Sequence, residues 1–354
     1  MNLSIDKYLS SIATNSGFKF SKYSNQTILS TSFAISTSHL EKIELTNKET
    51  YGSYLLANRT EEGYFTDENY GYHKHIYHGP DYVLPQFSFF SLTALDILGF
   101  RAKDLFFVQE LSEDSLLGLL ESSMLQNFWA TSNQVMFQLY FLAYELKYNL
   151  EANKELILRK IDLVFEFLNR KQNKNDGYWG NDKITPSMYH KAYGAAHIYL
   201  FYDYFGKEIP LIEKVIDSTL KLHKSNGLIE TLEGGACEDY DIIEIYLRCL
   251  KQSDYRKDEI FQRLIQMKST IEASQNKDRG FSYRLKKSNW RDVFRKKDMS
   301  SYKYSSWDYM ETPLFESDIW ATFFRCLSIK TIEHIVFNKN NFNSINLPGW
   351  GYIS

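Results

Sequence analysis

With 354 residues the chain is long enough for one large domain or two smaller ones, and for a sizeable core. Its 44% hydrophobic and 24% charged content is ordinary for a globular protein, and a formal net charge of -3 excludes the basic excess by which a dedicated nucleic-acid binder is recognised. Aromatic residues are over-represented at 16%, and such rings fill wide cores or line pockets for sugars, hydrocarbons or cations.

The stretch from Met1 to Gly17 has no apolar run after a basic start, so no signal peptide is expected. No apolar run approaches the ~20 residues that span a bilayer, which leaves peripheral association as the only membrane contact considered. Cys237, Cys249 and Cys326 show neither CxxC spacing nor a secreted-type framework. A cytoplasmic protein with free thiols is the expectation.

Residues 1–47 read as lead-in helices. From there a hairpin grammar repeats. Tyr51–Ala57 leads into Asn58 and then Gly63-Tyr64-Phe65, followed by an apolar helix over Phe87–Leu98 that stops at Gly99. Ser112–Met124 and Val135–Leu146 form a pair without the glycine turn. Ile161–Leu168 runs into Gln172 and Gly177-Tyr178-Trp179, and a second helix runs from near Pro186 to Gly206. Ile212–Leu222 leads through Gly227-Leu228-Ile229 to Asp241–Leu250. Ile260–Ala273 leads through Gly280-Phe281 to Asp318–Ile329. Residues 338–354 are polar without period and read as an extended packed arm ending in a Pro-Gly-Trp turn.

In each copy a helix ends, glycine accepts the positive φ of the turn, and the following aromatic or aliphatic side chain packs back. One hairpin cannot bury its own apolar face, so neighbours stack. The prediction is an all-α toroid of about five to six helical hairpins over residues 48–337. Two inner helices even share a spelling: Asp241-Ile242, five positions, then Arg248-Cys249-Leu250, and Asp318-Ile319, five positions, then Arg325-Cys326-Leu327.

Gln172 to Gly177 to Trp179 resembles the QW repeat of terpenoid cyclases, and Gln275 to Gly280-Phe281 and Asn58 to Gly63 to Phe65 resemble degenerate copies. That resemblance implies the α/α toroid shared by squalene and diterpene cyclases and by protein prenyltransferase β subunits. In class II cyclases a DxDD motif opens an inner helix and its middle Asp protonates an alkene. Asp239-Tyr240-Asp241-Ile242 stands at the corresponding place, with Ile242 where the last Asp would be. The resemblance makes Asp241 the acid, with Asp239 and Glu238 beside it. The zinc-binding D-x-C pair of the prenyltransferases is missing, so no metal or other cofactor is expected.

In a toroid the starts of the inner helices face one end of the central cavity, and the residues there are polar: Gln86, Asn133, Tyr189 with His190, Asp239 with Asp241, and Glu316 with Asp318. Capping the free N–H groups of the first turn is the alternative use of such residues. Three carboxylates within four residues, Glu238, Asp239 and Asp241, favour retention of a proton on one of them, which a general acid needs. His190 and Tyr193 form a second candidate set, a base and an acid for lyase chemistry. His197, seven residues on at apolar spacing, reads as a core histidine. His73, His75 and His78 lie in a Tyr- and Gly-rich loop whose spacing fits no standard metal site and suits a rim that contacts substrate.

Arg284 to Lys303 interrupts the last hairpin with Arg284, Arg291 and six further cations among aromatic residues. Placed over a cavity mouth, such a segment suits an anionic small molecule, a diphosphate or an acidic sugar. Trp179 and Trp307 join Gln86, Asn133, Tyr189, Arg284 and Arg291 as expected substrate contacts. Three functions stay open: acid-initiated cyclisation of an isoprenoid or polyprenyl substrate with Asp241 as proton donor, a carbohydrate lyase or hydrolase using His190 with Tyr193 or Asp241 with Asp318, and a non-catalytic toroid that binds a ligand or a protein.

Overall fold

The computed structural model describes residues 5–71, 79–103, 105–229, 235–285, 301–304 and 307–353. In chain order the described helices are α1 (Asp6–Ile12), α2 (Ile28–Leu40), α3 (Lys48–Ala57), α4 (Pro80–Leu98), α5 (Phe106–Gln109), α6 (Glu113–Met124), α7 (Phe128–Tyr148), α8 (Lys154–Lys171), α9 (Met188–Tyr204), α10 (Ile212–Leu220), α11 (Ala236–Leu250), α12 (Lys257–Ala273) and α13 (Ile319–Phe337). A short antiparallel ribbon, β1 (Ser301–Lys303) with β2 (Glu311–Pro313), is the sheet among the described residues. The chain is all-α.

Six helices close a ring: α2 packs on α4, α4 on α7, α7 on α9, α9 on α11, α11 on α13, and α13 back on α2. For α4, α7, α11 and α13 the helix preceding in sequence flanks it. Thus α3 sits on α2 and α4, α6 and α8 on α7, α10 on α11, and α12 on α13. The division of labour is visible in burial. Along α8 the buried residues Ile157, Ile161, Val164, Phe165 and Leu168 form one stripe, whereas α9 is buried without interruption from Lys191 to Tyr202. A one-sided helix belongs on the outside and an all-round apolar one in the middle.

Residues 1–47, expected as a lead-in, supply one wall of the ring through α2. Its sequence, ILSTSFAISTSHL, hides this because hydroxyls stand where apolar residues would be. Ser32, Thr37 and Ser38 donate to the carbonyls of Ile28, Phe33 and Ala34 one turn back, at 2.7 to 2.8 Å. Self-satisfied in this way, they can be buried.

The turns obey one construction. Beyond the glycine, the chain doubles back onto the helix end: Thr60 N–H donates to Tyr64 O, Asn173 to Tyr178, Lys224 to Leu228 and Asn276 to Gly280. Gly63, Gly177 and Gly227 take φ of 96°, 79° and 82°. At the fourth copy the positive φ falls on Arg279 instead, and Gly280 is required because a Cβ there would lie 2.6 Å from Ser317 Cβ and 2.8 Å from Tyr8 Cδ2.

The C-terminal arm crosses the far ends of the ring helices. Asn343 N–H donates to Leu40 O, Lys147 Nζ to Asn346 O at 2.9 Å, and Arg248 Nη2 to Tyr352 O at 2.5 Å. Within the arm, Ile345 N–H donates to Gly351 O, and the turn so formed drives Trp350 inward against His197, Tyr240 and Phe324.

Candidate active site

The ring encloses a cavity of about 350 Å³. Its walls come from the N-terminal halves of α4, α7, α11 and α13, from His197 midway along α9, from Tyr283, Tyr302 and Tyr304 at one end and from Trp350 at the other. Aromatic rings make up most of it: Tyr82, Phe90, Trp129, Phe137, Trp320 and Phe324 join the three tyrosines and Trp350. The polar lining residues are Gln86, Asn133, His197, Cys237 and Asp241. A volume of this size falls at the lower end of small-molecule pockets.

Asp241 is the sixth residue of α11 and is 2% exposed. Its Oδ1 is buried without a hydrogen-bond partner. Burial, and then the charges of Glu238, Glu244 and Asp239, push its carboxyl well above the usual carboxylate range. Both causes act in the same direction, favouring the protonated form.

His197 faces it. Ser132 Oγ donates to Trp129 O at 2.9 Å, so the same oxygen accepts from His197 Nδ1 at 2.8 Å. This network assigns the proton to Nδ1 and leaves Nε2 bare, 3.8 Å from Asp241 Oδ1. That separation is too long for a hydrogen bond. Burial lowers the His197 pKa to about 3, so the ring is neutral and the pair is not an ion pair at neutral pH. His197 is thus buried, as its apolar spacing suggests, and is also part of the cavity wall, which spacing alone does not reveal.

The other acids of the motif are committed elsewhere. Asp239 is fully buried and accepts from Arg325 Nη1 at 2.6 Å and from Ile229 N–H at 3.0 Å. Glu238 accepts from Tyr283 Oη at 2.5 Å and from Cys237 Sγ at 3.1 Å. It folds back over Gly235, where any Cβ would lie 1.8 Å from its carboxylate. Glu238 and Asp239 frame the cavity wall from behind, and Cys237 and Tyr283 stand between Glu238 and the space itself.

Asp318 takes the capping role. Its Oδ1 accepts from Ala321 N–H at 2.7 Å at the start of α13, and burial raises its pKa to about 7 against the pull of those backbone bonds. It is not on the cavity wall. Nor are His190 and Tyr193, although both reach Trp129, which is: the His190 ring lies 5.1 Å and the Tyr193 ring 5.4 Å from it. His190 Nδ1 meets Asn127 Nδ2 at 3.1 Å, and burial lowers its pKa while Glu238 pulls it back. Tyr189 is half-buried outside the wall, 6.5 Å from Tyr193.

Among the expected substrate contacts, Gln86 and Asn133 line the cavity. Trp179 does not: it is fully buried and its Nε1 donates to Leu168 O at 2.8 Å, tying the turn to the end of α8. Gln172 does the companion work, donating through Nε2 to Gly177 O at 2.7 Å and to Pro210 O at 2.9 Å. The motif residues are hairpin fasteners. Trp307 is likewise buried among Tyr70 and Phe87, with Nε1 donating to Asn69 O at 3.2 Å. Arg284 is half-buried behind the wall residue Tyr283. Arg291, the rest of the basic segment 286–300 and the histidines His73, His75 and His78 lie outside the described residues. Of the wall residues the sequence pattern singles out Gln86, Asn133 and Asp241; the aromatic lining and Cys237 are not among the expected contacts.

Among the described residues no helix is long and apolar enough to cross a membrane. No protein-family model matches the chain, and no curated protein matches it. Among solved structures, ent-copalyl diphosphate synthase from Streptomyces platensis is similar, with 10% identity and a TM-score of 0.48 over 88% of this chain and 50% of that one. The chain spans half the length of that solved structure.

Proposed function

We propose that the chain is an enzyme of acid-initiated isoprenoid chemistry, with Asp241 as the proton donor. The observation that carries this reading is a carboxyl with an orphaned oxygen, its pKa pushed upward by burial, in the wall of a mostly aromatic cavity. Alkene protonation needs an acid that keeps its proton at neutral pH and a site that keeps water away from the resulting cation.

The step balances without a co-reactant. The Asp241 O–H bond breaks and its proton goes to one carbon of a substrate alkene. The π electrons of a second alkene close a C–C bond onto the cationic carbon, and the cyclic cation returns a proton to the Asp241 carboxylate, which restores the acid and completes a net isomerisation. The charge that moves through the cavity is surrounded by the aromatic side chains of Trp320, Phe324, Trp350 and Trp129. The Asp241 carboxylate left behind attracts the cation through a medium of low dielectric. His197, held neutral, adds no competing positive charge.

The carbohydrate reading needs a pair of catalytic groups across one space. Asp318, His190 and Tyr193 are not wall residues, so Asp241 has none of those partners within the cavity.

The test is Asp241→Asn assayed with linear isoprenoids. Asn is nearly isosteric with the protonated carboxyl, so the melting temperature should be kept while cyclised product falls by at least about 10³-fold, the upper part of the range for a general acid. Undiminished product from the variant would sink the proposal.

A further inference from the structure

A second orphan lies on the cavity wall. Gln86, the seventh residue of α4, is 6% exposed, and its Nε2 donates to Tyr304 Oη at 3.0 Å. Its Oε1 is buried with no partner. The helix places Tyr82 and Phe90 one turn to either side of it, and both are wall residues too. An amide is thus presented from an aromatic face with its oxygen unpaired. Leaving a buried polar group unpaired costs free energy, so an orphan calls for a partner, and on a cavity wall a ligand can supply one.

The identity of the orphaned atom depends on which way the amide is turned. Turned as described, Gln86 offers a carbonyl oxygen and needs a donor. Turned over, it would accept from Tyr304 Oη and offer an NH₂ that needs an acceptor. A hydroxyl group meets either need, because it donates one proton and carries two lone pairs. A bare hydrocarbon meets neither.

We infer that Gln86 recognises a neutral hydroxyl on the ligand, so that the substrate class of this cavity is an isoprenoid alcohol. This rests on the isoprenoid reading above and narrows it. In such a ligand the chain carries two handles. The hydroxyl is held at α4 by Gln86, and an alkene is presented to Asp241 on α11, across the aromatic space. Recognition and chemistry then belong to different walls of the ring. A site built to hydrogen-bond a hydroxyl discriminates strongly against the analogue that lacks it, because its own polar group is left unpaired.

The experiment is equilibrium binding to the full chain, followed by tryptophan fluorescence, with three probes of one chain length: farnesol, the hydrocarbon that lacks its hydroxyl, and farnesyl diphosphate. The wild type should bind farnesol at least about tenfold more tightly than the hydrocarbon. Gln86→Met should bind both equally, at the wild-type affinity for the hydrocarbon, which also reports that the variant is folded. Gln86→Leu replaces it should the Met variant not fold. Equal binding of alcohol and hydrocarbon by the wild type overturns the inference while leaving the isoprenoid reading standing, as does a preference that survives in the variant. Tighter binding of the diphosphate than of the alcohol, unchanged in Gln86→Met, puts head-group recognition elsewhere and overturns it as well. Binding of none of the three removes the isoprenoid reading together with the inference.

Discussion

Arg325 Nη1 lies 2.6 Å from Asp239 Oδ2, and both side chains are completely buried, one on α13 and the other on α11. This pair joins two neighbouring walls of the ring directly behind Asp241. It also separates the fates of two acids two residues apart: Asp239 has a cation and a backbone donor, Asp241 has an orphaned oxygen.

Removing the cation should expose that dependence. Arg325→Met leaves Asp239 in the core with Ile229 N–H as its remaining bond partner, and breaking a buried pair from one side costs about 3–5 kcal/mol. Urea denaturation of Arg325→Met and of the double variant Arg325→Met/Asp239→Leu measures it. The double variant should recover much of the loss, because no uncompensated charge remains. A single variant as stable as the wild type would show that the pair does not hold the two helices.

Asp318 makes stability depend on pH in a stated direction. Its pKa is raised to about 7 in the folded chain, against about 3.9 unfolded. Between those values the folded state binds the extra proton, so stability falls as pH rises, by up to about 1.4 kcal/mol per unit. Asp318→Asn keeps the oxygen that caps Ala321 and removes the titration. The wild type should lose stability relative to the variant from about pH 4 to about pH 7. Parallel pH profiles of the two would contradict the assignment.

Trp350 forms the floor of the cavity. Trp350→Ala should cost about 3–5 kcal/mol, the usual range for emptying a buried Trp site. Because the lost group is an indole in an apolar setting, added indole should refill the gap and raise the melting temperature of the variant while leaving the wild type unmoved. No rescue by indole would mean that the arm collapses into the space.

The hairpins are legible from sequence because their signals are local. A glycine turn after a periodic helix is written in about ten consecutive residues, as Gly63, Gly177 and Gly227 show. What escapes is written across distance. The Ser- and Thr-rich α2 lacks an apolar stripe, and only its neighbours α4 and α13 show that it stands in the ring. His197 reads as core from its own helix, and Asp241 on the next one gives it a second setting. Trp179 and Trp307 were expected at the ligand because indoles line pockets, yet each spends its N–H on a backbone carbonyl, of Leu168 and of Asn69. The polar positions at inner-helix starts divide along the same line. Gln86, Asn133 and Asp241 reach the cavity, while Asp239 pairs with Arg325 and Asp318 caps α13 through one of its oxygens.

The packing of α13 back on α2 also governs when the cavity exists during synthesis. A ribosome makes α2 early and α13 late, and until both are available the intervening helices form an arc with two unpaired apolar edges. Contacts this distant in sequence slow folding, and exposed edges of this kind are where nascent chains aggregate. Asp241, the aromatic wall and the orphaned amide therefore come together as a late event. A nascent chain arrested before α13 would already hold Asp241, yet would lack the cavity wall that Trp320 and Phe324 supply.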